Sequence, residues 1–265
     1  MYTVVQNLIR AILLLVFIFN SIPLSAQNQL DFSGDNEAEK LVKEAMVCRA
    51  NFELEQYRVM IDQALTVDHD NLMANFLKID MDPFYASQHL NQFDELLANG
   101  NEDEQKLIKL WKNVSLSEQW KSERIAIRNL RPLLYELAKK YKGDPYLMMQ
   151  LGVIAKRMND VDKAIEIFQS ILEGNNEMAP PYNMLGYIYM EQGQLDTAKK
   201  YFDKYLSLAP ELANPYDSQG DYYMTKGDYA KALEMFEKSY SINPAMTISK
   251  EKAEQAKMKL KDAKK

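Results

Sequence analysis

From about residue 37 onward, apolar positions recur every three to four residues, the period of an amphipathic α-helix. Leu41, Val42, Ala45, Met46 and Ala50 form one stripe, and Leu54, Tyr57, Met60, Ile61, Ala64 and Leu65 form the next. Asp68-His69-Asp70-Asn71 then interrupts the pattern as a helix-ending turn. Helix starts near 37, near 71 (NLMANFLKID) and near 105 (QKLIKLWKNV) recur at one constant interval. Asp82-Pro83 marks another start, and Asn99-Gly100-Asn101 a turn. The next start, at 145, comes later than that interval requires, and the intervening residues 118–142 read as one long helix. That helix would turn Ile125, Ile127, Leu130, Leu133, Leu134, Leu137 and Ala138 inward and kink at Pro132. Strand-like alternation is absent beyond the amino terminus, so the expected class is all-α.

Between 145 and 244 one pattern occurs three times: MMQLGVIAKRMNDVDKAIEIF, YNMLGYIYMEQGQLDTAKKYF and YDSQGDYYMTKGDYAKALEMF. Gly152, Gly186 and Gly220 keep the interval of the helix starts, and so do Ala164, Ala198 and Ala232, and Phe168, Phe202 and Phe236. A fixed period of about 34 residues marks a stacked repeat architecture. Glycine within a helix costs about 1 kcal/mol relative to alanine, so three in register need a packing role: close approach of a second helix. Asn159, Gly193 and Gly227 fall in the turns between paired helices, where a left-handed residue ends a helix. Pro145 and Pro215 suit a first helical turn, with Asp144 and Asn214 as candidate caps.

In these residues the chain resembles a tetratricopeptide repeat array. The resemblance is strong over 145–244 and weak over 37–144. It implies a right-handed helix-pair solenoid of six pairs, three degenerate (37–144) and three regular (145–246). A terminal helix at 247–265 would seal the open end, with Ala253, Ala256, Leu260 and Ala263 on one side and lysines elsewhere. It also implies a concave groove lined by the first helices of the pairs, in which a protein or peptide segment lies. Carried over by position, the exposed groove residues would be Tyr146, Met149, Val153 and Lys156 in the first regular copy. Asn183, Tyr187 and Met190 follow in the second, and Asn214, Asp217, Asp221 and Met224 in the third. Asp217 and Asp221 would repel a carboxylate, which disfavours the clamp that some family members use on a chaperone's carboxyl terminus. The groove chemistry fits a segment with apolar anchors and a basic residue.

Charge and composition narrow the function further. The 32 basic and 38 acidic residues leave a formal charge of −6. That balance disfavours nucleic acid as partner, since phosphate binding needs a basic face. The one lysine-rich stretch, 250–265, also carries Glu251, Glu254 and Asp262 and reads as a solvated terminal helix. Residues 1–26 have the layout of a secretory signal peptide: Arg10, an apolar run from Ala11 to Phe19, Pro23, and Leu24-Ser25-Ala26 before Gln27. The run is shorter than the about 20 residues that span a bilayer. Export to the periplasm is expected, with release outside the cell as the alternative and no membrane insertion after cleavage. Residues 27–36, QNQLDFSGDN, read as a short flexible tail.

No catalytic constellation emerges. His69 and His89 are the only histidines and have no HExxH-like spacing. The single cysteine, Cys48, reads as a small core residue and permits no internal disulfide. Asp68, Asp70 and Asn71 lack the glycine and the closing glutamate of a calcium loop. No phosphate-cradling glycine loop or nucleophile elbow occurs, so no cofactor, metal or enzymatic activity is expected. The reading is an exported scaffold that binds a protein segment in its groove, in envelope assembly. The alternative is an accessory subunit that docks an enzyme or transporter through the irregular amino-terminal half.

Overall fold

A computed structural model describes residues 30–51, 53–115, 120 and 125–263. The expected signal peptide, 1–26, lies outside the described residues. Among them are thirteen α-helices and no strand. They are α1 (Asn36–Ala50), α2 (Leu54–Val67), α3 (Leu72–Met81), α4 (Pro83–Asn99), α5 (Glu102–Val114), α6 (Arg131–Lys140) and α7 (Pro145–Arg157). The remainder are α8 (Val161–Gly174), α9 (Ala179–Glu191), α10 (Leu195–Leu208), α11 (Ala213–Lys226), α12 (Tyr229–Ile242) and α13 (Thr247–Asp262). The fold is an all-α array of helix pairs.

In the regular pairs the reason for the glycines is direct. A methyl group at Gly152 would sit 2.5 Å from the Phe168 ring, at Gly186 2.6 Å from Phe202, and at Gly220 closer still to Phe236. Each phenylalanine is a knob from the second helix pressed onto bare backbone of the first, and each is fully buried. Ala164, Ala198 and Ala232 are buried as well. Burying one such ring contributes about 1.5–3 kcal/mol, more than the helix-propensity cost of its glycine. Asn159, Gly193 and Gly227 take the left-handed φ values of 57°, 76° and 79° expected of the inter-helix turns.

Asp144 caps α7 by accepting from the Tyr146 and Leu147 amides at 3.0 Å, as anticipated. Asn214 does not cap α11: the helix begins one residue earlier, and the Asn214 amide donates instead to the Tyr205 hydroxyl at 2.9 Å. α13 continues the stack by packing along α12, with Ala253 and Ala256 buried; Ala263 is exposed beyond the helix end.

The irregular half uses other means. α3 is buried on every side over Leu72–Leu77 and forms its centre. Around it Phe76, Phe93, Trp111 and Trp120 form an aromatic cluster with ring centroids 5.7–6.1 Å apart. The Lys112 ammonium lies 4.2 Å from the Trp120 ring centre.

The long helix expected over 118–142 is not formed. Residues 116–119 and 121–124 lie outside the described residues, 127–129 make one 3-10 turn, and α6 begins only at Arg131. Pro132 therefore starts a helix, where its missing N–H is harmless, rather than kinking one. Ile125 and Ile127 are 41 % and 40 % exposed, while Leu130, Leu134, Leu137 and Ala138 are buried as expected.

Residues 30–35 are not a free tail. Leu30 and Phe32 are buried, and the segment is hydrogen-bonded to five side chains far away in the chain.

Candidate peptide-binding groove

The first helices of the regular pairs are α7, α9 and α11, and they carry all the anticipated groove residues. The structure divides those residues into two groups. Met149, Asn183, Asn214 and Asp217 are buried, at 1–4 % exposure, so they do not stand on an open surface. Tyr146, Val153, Lys156, Tyr187, Met190, Asp221 and Met224 are half-buried.

The cause in the first copy is α1. It packs against α7, the helix that carries Tyr146, Met149, Val153 and Lys156. Burial next to Glu44 of α1 and Asp144 pushes the Tyr146 hydroxyl up to about 12. Lys156 is engaged by Glu191 of the next repeat at 2.7 Å. At the far end of α1, Asn51 accepts a hydrogen bond at 3.3 Å from Tyr205 of α10, 154 residues away. α1 therefore reaches across the array and covers part of α7.

In the second and third copies a polar chain links neighbouring repeats. Ser218 donates to Asn183 at 2.8 Å, and the Tyr187 hydroxyl donates to Asp221 at 2.8 Å. Tyr187 also meets Phe202 edge-on, 5.1 Å between ring centres. Its hydroxyl is held far above the ordinary tyrosine range, first by burial and then by the Asp221 charge.

One residue that sequence reasoning missed completes this chain. Lys252, from α13, bridges Asp217 at 2.7 Å and Asp221 at 2.8 Å. Burial disfavours its charge, but the two carboxylates outweigh that and raise its pKa. Asp221, largely desolvated and sharing its cation with a second acid, is raised too. Ser249, one turn before Lys252, donates to the other oxygen of Asp217 at 2.7 Å. The basic residue expected from a partner is thus supplied by the chain's own terminal helix. A signal existed in the sequence: Lys252 stands one repeat period after Ser218, on the same register as the first helices.

A family model described as tetratricopeptide repeat matches residues 177–245, and a second of the same description matches 146–173. Residues 146–173 and 177–245 belong to the tetratricopeptide repeat family. Among solved structures, the hetero-tetramer of APC/C Cut9–Hcn1 is similar at 18% identity, covering 83% of this chain and 43% of that one, with a TM-score of 0.48. The present chain thus spans under half of that relative. A tetratricopeptide repeat protein from Parabacteroides merdae shows 12% identity, 85% and 74% coverage and a TM-score of 0.48. PilW, a type IV pilus biogenesis factor, shows 16% identity, 84% and 99% coverage and a TM-score of 0.47. Among curated proteins none matches.

Proteins of this repeat class are in general non-catalytic scaffolds for protein or peptide partners. Of the residues weighed for chemistry, His69 is exposed beside Asp70, and His89 stacks on Tyr85 with ring centres 3.9 Å apart. Cys48 is buried, and desolvation pushes its thiol up to about 12, which disfavours a reactive thiolate. No helix among the described residues is long and apolar enough to cross a membrane.

Proposed function

We propose that this protein is an exported scaffold that holds a protein segment on the accessible part of its concave side, in assembly of the cell envelope. The observation that carries the groove reading is the surface left open once α1 and α13 are in place. Tyr187, Met190, Asp221 and Met224 remain half-buried on adjacent first helices, in a frame fixed by the Tyr187–Asp221–Lys252 links. Methionine adapts to varied apolar anchors, and a rigid frame spares binding the cost of ordering the receptor. The export reading is supported by the basic–apolar–small layout of residues 1–26.

The test is affinity capture from an envelope fraction, comparing the unaltered protein with Met190→Ala plus Met224→Ala. Loss of one partner by about tenfold, with the circular dichroism unchanged, is the expected result. Equal retention by both would move the site off the groove.

A second reading, an accessory subunit docking a larger complex through the irregular half, is favoured by a separate observation. Of nine large apolar side chains exposed among the described residues, seven lie between 54 and 135, with Phe84 at 72 % exposure. Capture lost by Phe84→Ser rather than by the methionine pair would select this reading.

A further inference from the structure

The segment 30–35 is held in an unusual way. Five side chains each take one of its main-chain groups. The Leu30 amide donates to Asp144 at 3.1 Å, and Asn101 donates to the Asp31 carbonyl at 2.9 Å. The Ser33 amide donates to Glu104 at 2.9 Å, and Asn71 donates to the Ser33 carbonyl at 3.2 Å. The Asp35 amide donates to Asp68 at 3.0 Å. The Ser33 hydroxyl also binds Glu104. The segment therefore passes the amino ends of α7, α5 and α3 in turn.

Three of these side chains are helix caps with two jobs. Asn71, Asn101 and Asp144 each use one oxygen to cap α3, α5 and α7, and the remaining nitrogen or oxygen to hold the segment. The caps of the next first helices, α9, α11 and α13, are Met178, Leu212 and Met246, none of which makes a side-chain cap bond. The two-job caps stop where the segment stops. Asn71, Glu104 and Asp144 are at most 1 % exposed, so their polar atoms are sealed in by the segment. Buried polar atoms must be paired, and here the pairing is with main chain, which any sequence offers. Selectivity then rests with the two buried side chains, Leu30 and Phe32, and with Gly34. Its φ is +128°, and a Cβ there would collide with the Asp68 carboxylate.

We propose that Asp68, Asn71, Asn101, Glu104 and Asp144 form a peptide clamp, distinct from the concave groove, for a partner segment of the pattern apolar–any–apolar–Ser–Gly. Residues 30–35 fill it in place, Asp35 through its amide alone, and are displaced when that partner binds. The clamp does not depend on the groove reading: it lies on the amino ends of α3, α5 and α7 and shares no residue with Met190 or Met224.

The probe is a fluorescent peptide of residues 28–36, added to the full chain and read by anisotropy. The unaltered chain should bind it weakly, because its tethered copy competes at an effective concentration of roughly millimolar. A chain with Leu30→Ala and Phe32→Ala should bind at least about a hundredfold tighter, since the competitor has lost its apolar anchors. Adding Asn71→Ala and Asn101→Ala should cancel most of that gain, and a peptide with both anchors changed to alanine should not bind. If the double variant has lost its helical circular dichroism, the unaltered chain is used instead at millimolar peptide, with a photo-crosslinker at the Phe32 position. Adducts should then map near Lys43, whose ammonium lies 5.7 Å from the Phe32 ring centre. The proposal is overturned if the double variant binds no tighter than the unaltered chain, if the anchorless peptide binds equally, or if adducts scatter. Partner capture through Met190 and Met224 would be unaffected by any of these results.

Discussion

The regular pairs α7–α12 and the irregular pairs α1–α6 solve the same packing problem with different side chains. In the regular pairs a phenylalanine from the second helix sits on a glycine of the first, three times over. On the same register, counted from helix starts at 37, 71 and 105, the glycine positions hold Glu44, Lys78 and Lys112, and the phenylalanine positions hold Met60, Asp94 and Arg128. The pair α1–α2 nevertheless packs as closely as the regular pairs, with Ala45, Ile61 and Ala64 buried. The irregular half instead gathers one aromatic cluster around Trp120, and α5 and α6 pack far less closely than any regular pair. A repeat can thus be kept in outline while its internal fastening is exchanged. The regular half gains modularity by this, and the irregular half gains unique contacts.

The comparison can be broken most forcefully at Trp120. Trp120→Ala should cost about 3–5 kcal/mol, by analogy with other large-to-small core changes. Hydrogen exchange should show α3–α5 opening while α9–α12 stay protected, because repeat arrays unfold by neighbourhoods. Simultaneous loss of protection everywhere would mean that the halves fold as one unit.

Asp103 gives a somewhat smaller effect, of about 1.5–3 kcal/mol for Asp103→Asn, as its charged hydrogen bonds are lost. This acid is buried, but hydrogen bonds from Lys140 and Tyr141 outweigh that burial and hold its pKa below the ordinary 3.8. A depressed pKa contributes stability above pH 3.8 that is lost as pH falls through the folded-state value. Urea unfolding of both proteins should therefore converge in strong acid. A difference that persists there would place its cause in packing rather than charge.

In the regular half, Gly186→Ala should destabilise by about 1–2 kcal/mol net, overpacking against Phe202 exceeding the gain in helix propensity. Thermal melting checks it, and an unchanged or raised Tm would show that the ring yields. The smallest change is expected at Phe84, which is 72 % exposed: Phe84→Ser should stay within about 0.5 kcal/mol of the parent while lowering any self-association or docking by the irregular half.

How much of this could be read from the chain follows the same division. Gly, Ala and Phe in register located the regular pairs, and Asp82, Asp144 and the apolar stripes located most of the other helices. The weak stripe at 118–142 misled, because Ile125 and Ile127 supply helical spacing without being buried. The segment 30–35 was misjudged because its polar residues resemble a tail, whereas its contacts lie 33–114 residues away and leave no periodic trace. The same holds for α1 against α7 and for Lys252: periodicity reports which face is buried, not against what. Four of the anticipated groove residues proved to be buried, and the other seven are half-buried.

The hydrogen bond from Tyr205 to Asn51 sets a rule for how such a chain can change in length. An open array can gain or lose one repeat unit and merely become longer or shorter. Here, deleting a unit between these two residues would rotate Tyr205 away from its distant mate and leave Asn51, itself only 9 % exposed, facing the wrong surface. Units could be added beyond α13 with little penalty, since the Lys252 bridge to Asp217 and Asp221 would stay in place, but the stretch between Asn51 and Tyr205 is closed to such editing.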